Sequence, residues 1–326
     1  MGKTLHIYNP EHDLALAAGN SNYTPPAEIL KLKLINALLP ARYAGNGDFI
    51  LVPKELTQPQ IETSDFLPLA KSKNISVVWP KDIPAISHLI NKVNPWGWDP
   101  AVKSLLESSG IEPSLLPSME EIEKIRELSH RATSITFRKL ISEILGIPEY
   151  LPAHIVHHTE EIPPLLERYH RIFFKAPWSS SGRGIVVSDH ISSKGLMEWA
   201  HGTIKKQKCL IAEPAWRRKL DFATEWIIEN QKARFIGYSV FETSSRGKYH
   251  GNMEASQSDI LNTILREAPS FHSGYIYAQK NVIDSLISPF YSGPLGIDML
   301  ADTEGRINPC VEINLRHTMG LINILP

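Results

Sequence analysis

The chain has 326 residues, with 34 Lys plus Arg against 35 Asp plus Glu and a formal net charge of -1. That length exceeds one ordinary domain and points to two or three lobes, while the charge balance gives no support to a broad nucleic-acid or membrane footprint. The two cysteines, Cys209 and Cys310, form no CxxC pair; they imply neither a disulfide framework nor a zinc site, and suit buried thiols of a reducing compartment.

The N-terminus soon meets Glu11, His12 and Asp13, so it reads as neither signal peptide nor membrane span, and the expectation is a soluble, cytoplasmic protein. Residues 4–8 form an apolar strand that ends in Asn9-Pro10-Glu11-His12-Asp13. At the carboxyl end of a strand in a doubly wound sheet such a loop is either a substrate wall or an Asx-type cap for the next helix. The stretch 20–26 is too rich in Pro and turn formers for a helix, and 27–39 reads as an amphipathic helix. Strand-length apolar runs follow at 49–52 and 75–79, and strands alternating with helical segments argue for a parallel sheet. Asn94-Pro95-Trp96-Gly97-Trp98-Asp99-Pro100 reads as a loop whose tryptophans either wall a small ligand or cap a core. A helix over 101–109 ends at Gly110, and Glu112-Pro113 and Leu116-Pro117-Ser118 break the pattern. The expected domains are therefore 1–115, α/β and substrate-side, and 116–326.

The second part opens on a capping box, Ser118-Met119-Glu120-Glu121, and a helix over 131–145 is stopped by Gly146-Ile147-Pro148. A strand over 171–176 carries Lys175 near its end, then Pro177-Trp178-Ser179-Ser180-Ser181-Gly182-Arg183-Gly184, then a strand over 185–188. Small residues let backbone N–H groups converge on an anion and the lysine adds a cation, which suits phosphates; the Ser/Gly stretch alone is equally a flexible turn. It is not a Walker A loop, because the lysine precedes the glycines and a strand follows them. Strands are expected at 209–214, ending in Glu213-Pro214, at 221–228 from Asp221, and at 234–241 before a polar turn, 244–248. The last feature is a hairpin over 296–320 turning at Asp302-Thr303-Glu304-Gly305. Residues two apart on a strand share a face, so Glu312 and Asn314 project together, and a register centred near Gly305 sets Asp298 opposite Glu312. Three oxygen-bearing side chains so gathered suit a hard cation such as Mg2+, or simply a solvated face. His317 points to the other face and reads as structural.

Three of these segments in this order, FFKAPWSSSGRGI, LIAEP and GIDMLADTEGRINPCVEINLR, resemble the ATP-grasp superfamily of ATP-dependent carboxylate ligases, over roughly 118–320. The resemblance implies an α/β protein with α+β lobes, an ATP-grasp fold behind an N-terminal Rossmann-like parallel-sheet domain. It further implies ATP and Mg2+, two ions with Mn2+ able to substitute, and small-molecule or peptide-like carboxylate and amine substrates joined through an acyl phosphate. Carried over by position, Lys175 meets the α- and β-phosphates, and Ser179, Ser180, Ser181, Gly182, Arg183 and Gly184 form a lid over the triphosphate. Glu213 sits at the hinge beside adenine and ribose, and Asp221 is a ribose or local structural partner. Asp298, Glu312 and Asn314 hold the metals, and Arg316, with Lys175, serves catalysis at the γ-phosphate or acyl phosphate. The family often has a further lysine on the helix before the lid; here that helix offers Arg131 or Arg138. A small-molecule kinase and a non-catalytic ATP-binding regulator are the alternatives left open. Nothing in the sequence sets the oligomeric state.

Overall fold

The computed structural model describes residues 2–179, 184–189, 193–244 and 249–325. The chain divides into two compact units, one reaching Arg126 and including Leu325, the other spanning Glu127–Ile324.

In the first unit β1 (Lys3–Ile7), β2 (Phe49–Leu51), β3 (Ser76–Val78) and β4 (Ile90–Pro95) form a parallel sheet in the order β3-β2-β1-β4. Both faces are covered, as an all-parallel sheet requires. Leu5, Ile7, Phe49, Leu51, Val93 and Leu106 fill one core, and Leu38, Ile50, Val52 and Ile61 the other. The expected helix over 27–39 is shorter, Ala27–Ile35, and its exposed Ile35 shows how little of it faces the core.

β4 was not expected, because INKVNP offers only Ile90 and Val93 as apolar anchors; parallel pairing to β1, eighty-odd residues away, forms it. Asn94 and Pro95 therefore belong to a strand. Trp96 is buried, edge-on to Tyr8 at 5.2 Å, and Trp98 packs against the core, so both serve packing. Asn9 does not cap the following helix, His12–Ala18, whose N-cap is Glu11 without a side-chain bond. Its Nδ2 donates instead to Gly97 O at 2.7 Å and to Asp99 Oδ2 at 2.8 Å, tying the ends of β1 and β4 together. Asp99 Oδ1 in turn accepts from Ala101 N and Val102 N, capping the helix Pro100–Ser108.

The capping box before the helix Met119–Leu128 forms as read: Glu121 N donates to Ser118 Oγ at 3.1 Å and Ser118 N to Glu121 Oε2 at 2.7 Å. In the second unit the helix Arg131–Leu145 ends at Gly146 in the left-handed region (φ 65°). β5 (His154–Val156), β6 (Ile172–Lys175), β7 (Ile185–Ser188) and β8 (Leu210–Pro214) make an antiparallel sheet ordered β5-β8-β6-β7. β9 (Arg218–Glu229), β10 (Lys232–Thr243), β11 (Tyr249–Asn252), β12 (Gly293–Asp302) and β13 (Ile307–Asn314) make a second, ordered β11-β10-β9-β12-β13. β9 and β10 meet in a two-residue turn, Asn230-Gln231, with φ of 50° and 57°.

Alternation gives the five-stranded sheet two different faces. One carries Phe222, Thr224, Trp226, Leu295, Ile297 and Met299, all buried and packed under the helix Ser273–Val282. The other carries Asp221, Glu225, Asp298, Glu312 and Asn314. A short helix, Met319–Ile324, follows β13 and packs on β9, β10 and β12. Among the described residues no helix is long and apolar enough to cross a membrane.

Candidate active site

The hairpin has the expected register. Asp298 pairs with Glu312 and Gly296 with Asn314, putting two acids directly opposite each other and an amide beside them. Like charges so placed are destabilising without a cation between them. Burial pushes the Asp298 carboxyl up to about 8, with Glu312 and then Glu225 adding to the rise, while Arg316 and the hydrogen bond from Asn314 oppose it. Two carboxylates and an amide on one strand pair are a donor set that suits Mg2+ with water and phosphate completing its shell. Among the described residues no three His, Cys, Asp or Glu side chains gather as a metal centre, so the amide and phosphate oxygens are needed for such a fit.

Arg316 follows the end of β13, and its Nη2 donates to Asn314 Oδ1 at 2.8 Å and its Nη1 to His317 O at 3.1 Å. It is therefore beside the acidic pair, as expected. His317 is buried.

Arg131 joins this group from another element. It opens the helix Arg131–Leu145, where His130 caps the first turn by accepting from Ala132 N at 3.0 Å. Its Nη2 donates to Glu312 Oε1 at 2.6 Å, and its Nη1 to Ser179 Oγ at 2.6 Å and to Ala176 O at 2.8 Å. One buried guanidinium thus links the start of the serine-glycine loop to the acidic hairpin. Its Nε is buried without a hydrogen-bond partner. Arg138, the other candidate on this helix, is tied instead to Glu149 at 2.9 Å.

Lys175 and Glu213 lie on adjacent strands, β6 and β8, and their side chains pair at 2.5 Å. Both are largely withdrawn from solvent, so each is the other's polar partner. Asp221, read as a ribose or structural partner, accepts from Thr243 Oγ1 at 2.5 Å and pairs with Arg218 at 3.0 Å. Burial raises its carboxyl, against the pull of Thr243, Arg218 and Lys175. Gly184 closes the loop in the left-handed region (φ 68°), donating no side chain to a space where a Cβ would meet Ser179 Cβ at 2.9 Å. Ser180, Ser181, Gly182 and Arg183, and residues 245–248 of the polar turn, lie outside the described residues.

Glu225 was missed. It is 1 % exposed in the centre of β9, and burial pushes it up to about 7 although Thr318, Ser239 and Arg316 favour its charged form. The signal was present: Asp221 and Glu225 are four apart on one strand and so share a face. Tyr249 on β11 borders the same acids; burial, then Asp298 and Glu225, push its phenol up to about 12.

No protein-family model matches the chain, and no curated protein matches it in sequence. Solved structures do match. A biotin carboxylase complex with β,γ-ATP from Campylobacter jejuni aligns over 99% of this chain and 67% of its own, with 14% identity and a TM-score of 0.56. An N5-carboxyaminoimidazole synthetase from Staphylococcus aureus complexed with ADP aligns over 98% of this chain and 72% of its own, with 14% identity and a TM-score of 0.52. A biotin carboxylase domain of the Hydrogenobacter thermophilus 2-oxoglutarate carboxylase, with MgADP, ADP and bicarbonate, aligns over 98% and 65% with the same identity and a TM-score of 0.52. At such identity the likeness is one of fold. A parallel-sheet unit followed by two antiparallel sheets, with the strand lysine on one and the acidic hairpin on the other, gives this chain the ATP-grasp fold.

Proposed function

We propose that the protein is an ATP- and Mg2+-dependent ligase that joins a small-molecule or peptide-like carboxylate to an amine. The observation that carries this is the gathering of Asp298, Glu312, Asn314 and Arg316 at one end of the hairpin, with Arg131 linking Glu312 to the loop at Ser179. A binder of neutral ligands gains nothing from opposed acids flanked by two arginines; a site for a metal-bound polyphosphate needs both signs of charge close together.

In this reading the substrate carboxylate oxygen attacks the γ-phosphorus of ATP, the bond to the β-phosphate oxygen breaks, and ADP leaves with an acyl phosphate remaining. The amine nitrogen then attacks the acyl carbon, phosphate departs and a proton is lost from nitrogen. Asp298, Glu312 and Asn314 would hold Mg2+, which would neutralise phosphate charge. Arg316, fixed beside Asn314, faces the charge that develops on the transferring phosphoryl group. Lys175 would exchange part of its contact with Glu213 for phosphate oxygens, and Arg131 would hold the loop at Ser179 in register with the hairpin. Glu213 remains at the strand end as an acceptor for the adenosine portion. No residue of the group is placed as a general base, so positioning and charge carry the reaction.

The test is product analysis: Mg-ATP with a pool of small carboxylates and amines, followed by detection of ADP, phosphate and amide. Amide and ADP in equal amounts are expected. A phosphorylated compound without amide would replace this reading by a kinase, and tight nucleotide binding without turnover across a broad panel would replace it by a regulator.

A further inference from the structure

Glu225 is an acid where packing alone would call for an apolar residue: the middle strand of the sheet, opposite Gly296 of β12 and Gly237 of β10. Burying a carboxylate is costly unless its oxygens are used. Both are. Ser239 Oγ donates to Oε1 at 2.8 Å and Thr318 Oγ1 donates to Oε2 at 2.8 Å. The Thr318 hydroxyl also accepts from Leu321 N at 2.9 Å, so it fastens the first turn of the terminal helix to the sheet. Two glycines make room for this. A Cβ on Gly320 would lie 2.1 Å from Glu225 Oε1 and 2.4 Å from Ser239 Oγ, and one on Gly296 would lie 2.7 Å from Thr318 Cγ2.

The chain between Asn314 and this fastening point is only residues 315–317, and Arg316 is its centre. One end is fixed by the strand, the other by Glu225 through Thr318. We infer that Glu225 is a positioning residue for Arg316: it holds the turn after β13 through Thr318 and so sets where the guanidinium stands against Asn314 and against a terminal phosphate bound there. This rests on the nucleotide reading above, and it concerns a strand that the hairpin motif does not include.

The experiment compares affinities for ADP and for the non-hydrolysable analogue AMP-PNP, both with Mg2+, by calorimetry on the full chain, since the ratio isolates what the terminal phosphate contributes. Arg316→Ala is expected to lower the ratio about tenfold, the size of one charged hydrogen bond. Glu225→Ala and Thr318→Val are expected to lower it about five- to tenfold while ADP affinity stays within about twofold. Glu225→Gln, which keeps the reach and an acceptor, is expected to retain the ratio within about twofold. Melting curves identify any variant that fails to fold, and Thr318→Val, isosteric, carries the test if Glu225→Ala does. An unchanged ratio in both Glu225→Ala and Thr318→Val, with loss in Arg316→Ala, overturns the inference. So does an equal loss of ADP and AMP-PNP affinity, which marks a general structural role. If the unaltered protein binds neither nucleotide, the nucleotide reading falls and this inference with it.

Discussion

The two faces of the five-stranded sheet both bury polar groups, and they treat them in opposite ways. On the core face Trp226 Nε1 donates to Thr224 Oγ1 at 3.0 Å, Thr224 Oγ1 donates to Gln279 Oε1 at 2.8 Å, and Gln279 Nε2 donates to Pro309 O at 3.2 Å and to Met299 Sδ at 3.3 Å. Every member is neutral and satisfied, which is how a buried polar network contributes to structure. On the other face burial raises the proton affinity of Glu225 and Asp298, and Glu312 and Glu225 add to the rise at Asp298, with Arg316 opposing it at both and Arg131 paired to Glu312. Such a surface costs stability. Buried polarity on a sheet is therefore informative only once its balance of charge is known.

Altering Glu312 should break the contrast most strongly. Glu312→Ala is expected to lower Mg-dependent turnover by roughly 10²–10³-fold, the cost of losing a charged group aimed at the reacting centre, and to lower the melting temperature as well, because buried Arg131 loses its carboxylate. Full Mg-dependent turnover in this variant would remove the hairpin from the active site. On the core face Gln279→Ala should affect stability alone. The loss of three contacts and the cavity left behind are expected to cost about 3 kcal/mol in urea unfolding, with ADP affinity unchanged.

The pH dependence of stability sharpens the comparison further. Glu225 is raised from an unfolded value of 4.5 to about 7, so the folded state holds its proton longer. Its contribution is complete below pH 4.5 and is lost as pH rises through 7, an expected loss of roughly 2–3 kcal/mol by linkage. Melting curves between pH 5 and pH 8 should display that slope together with the one from Asp298, raised to about 8, and Glu225→Gln should reduce it; a slope unchanged in the variant assigns it elsewhere. The smallest effect is expected for Asp298→Asn. Removing one of two opposed acids should stabilise the metal-free protein by about 0.5–1 kcal/mol while weakening its response to added Mg2+. Destabilisation instead would mean that the acids are not in conflict.

Much of this arrangement was legible in the sequence where its cause is local. Strand alternation alone predicts that Glu312 and Asn314 share a face; the pairing of Asp298 with Glu312 is expected from the turn, and the structure reaches it through a register shift between Asp298 and Leu300. Lys175 at a strand end and Glu213 before a proline are likewise short-range signals. What stayed hidden is long-range. Arg131 was legible only as one of two cationic side chains on a helix, because its partners Ser179 and Glu312 lie 48 and 181 residues away. β4 depends on β1 for its existence, since its own residues have weak strand character. Glu225 was readable by its spacing from Asp221, but its meaning comes from Thr318, 93 residues on.

One irregularity in the hairpin bears on how the site can change. Asp298 pairs with Glu312 but Leu300 pairs with Asn308, so Pro309, Cys310 and Val311 together stand opposite Met299 alone. The bulge adds an even number of residues, and proline, which lacks a ladder donor, sits where none is needed. Parity is therefore conserved across it. Deleting one residue between Asn308 and Glu312 would leave two opposite Met299, an ordinary bulge, and deleting two would restore one-to-one pairing, so in both cases Asp298 can keep Glu312 as its partner. Length variation at this spot is therefore absorbed by the bulge and leaves the acidic pair in place.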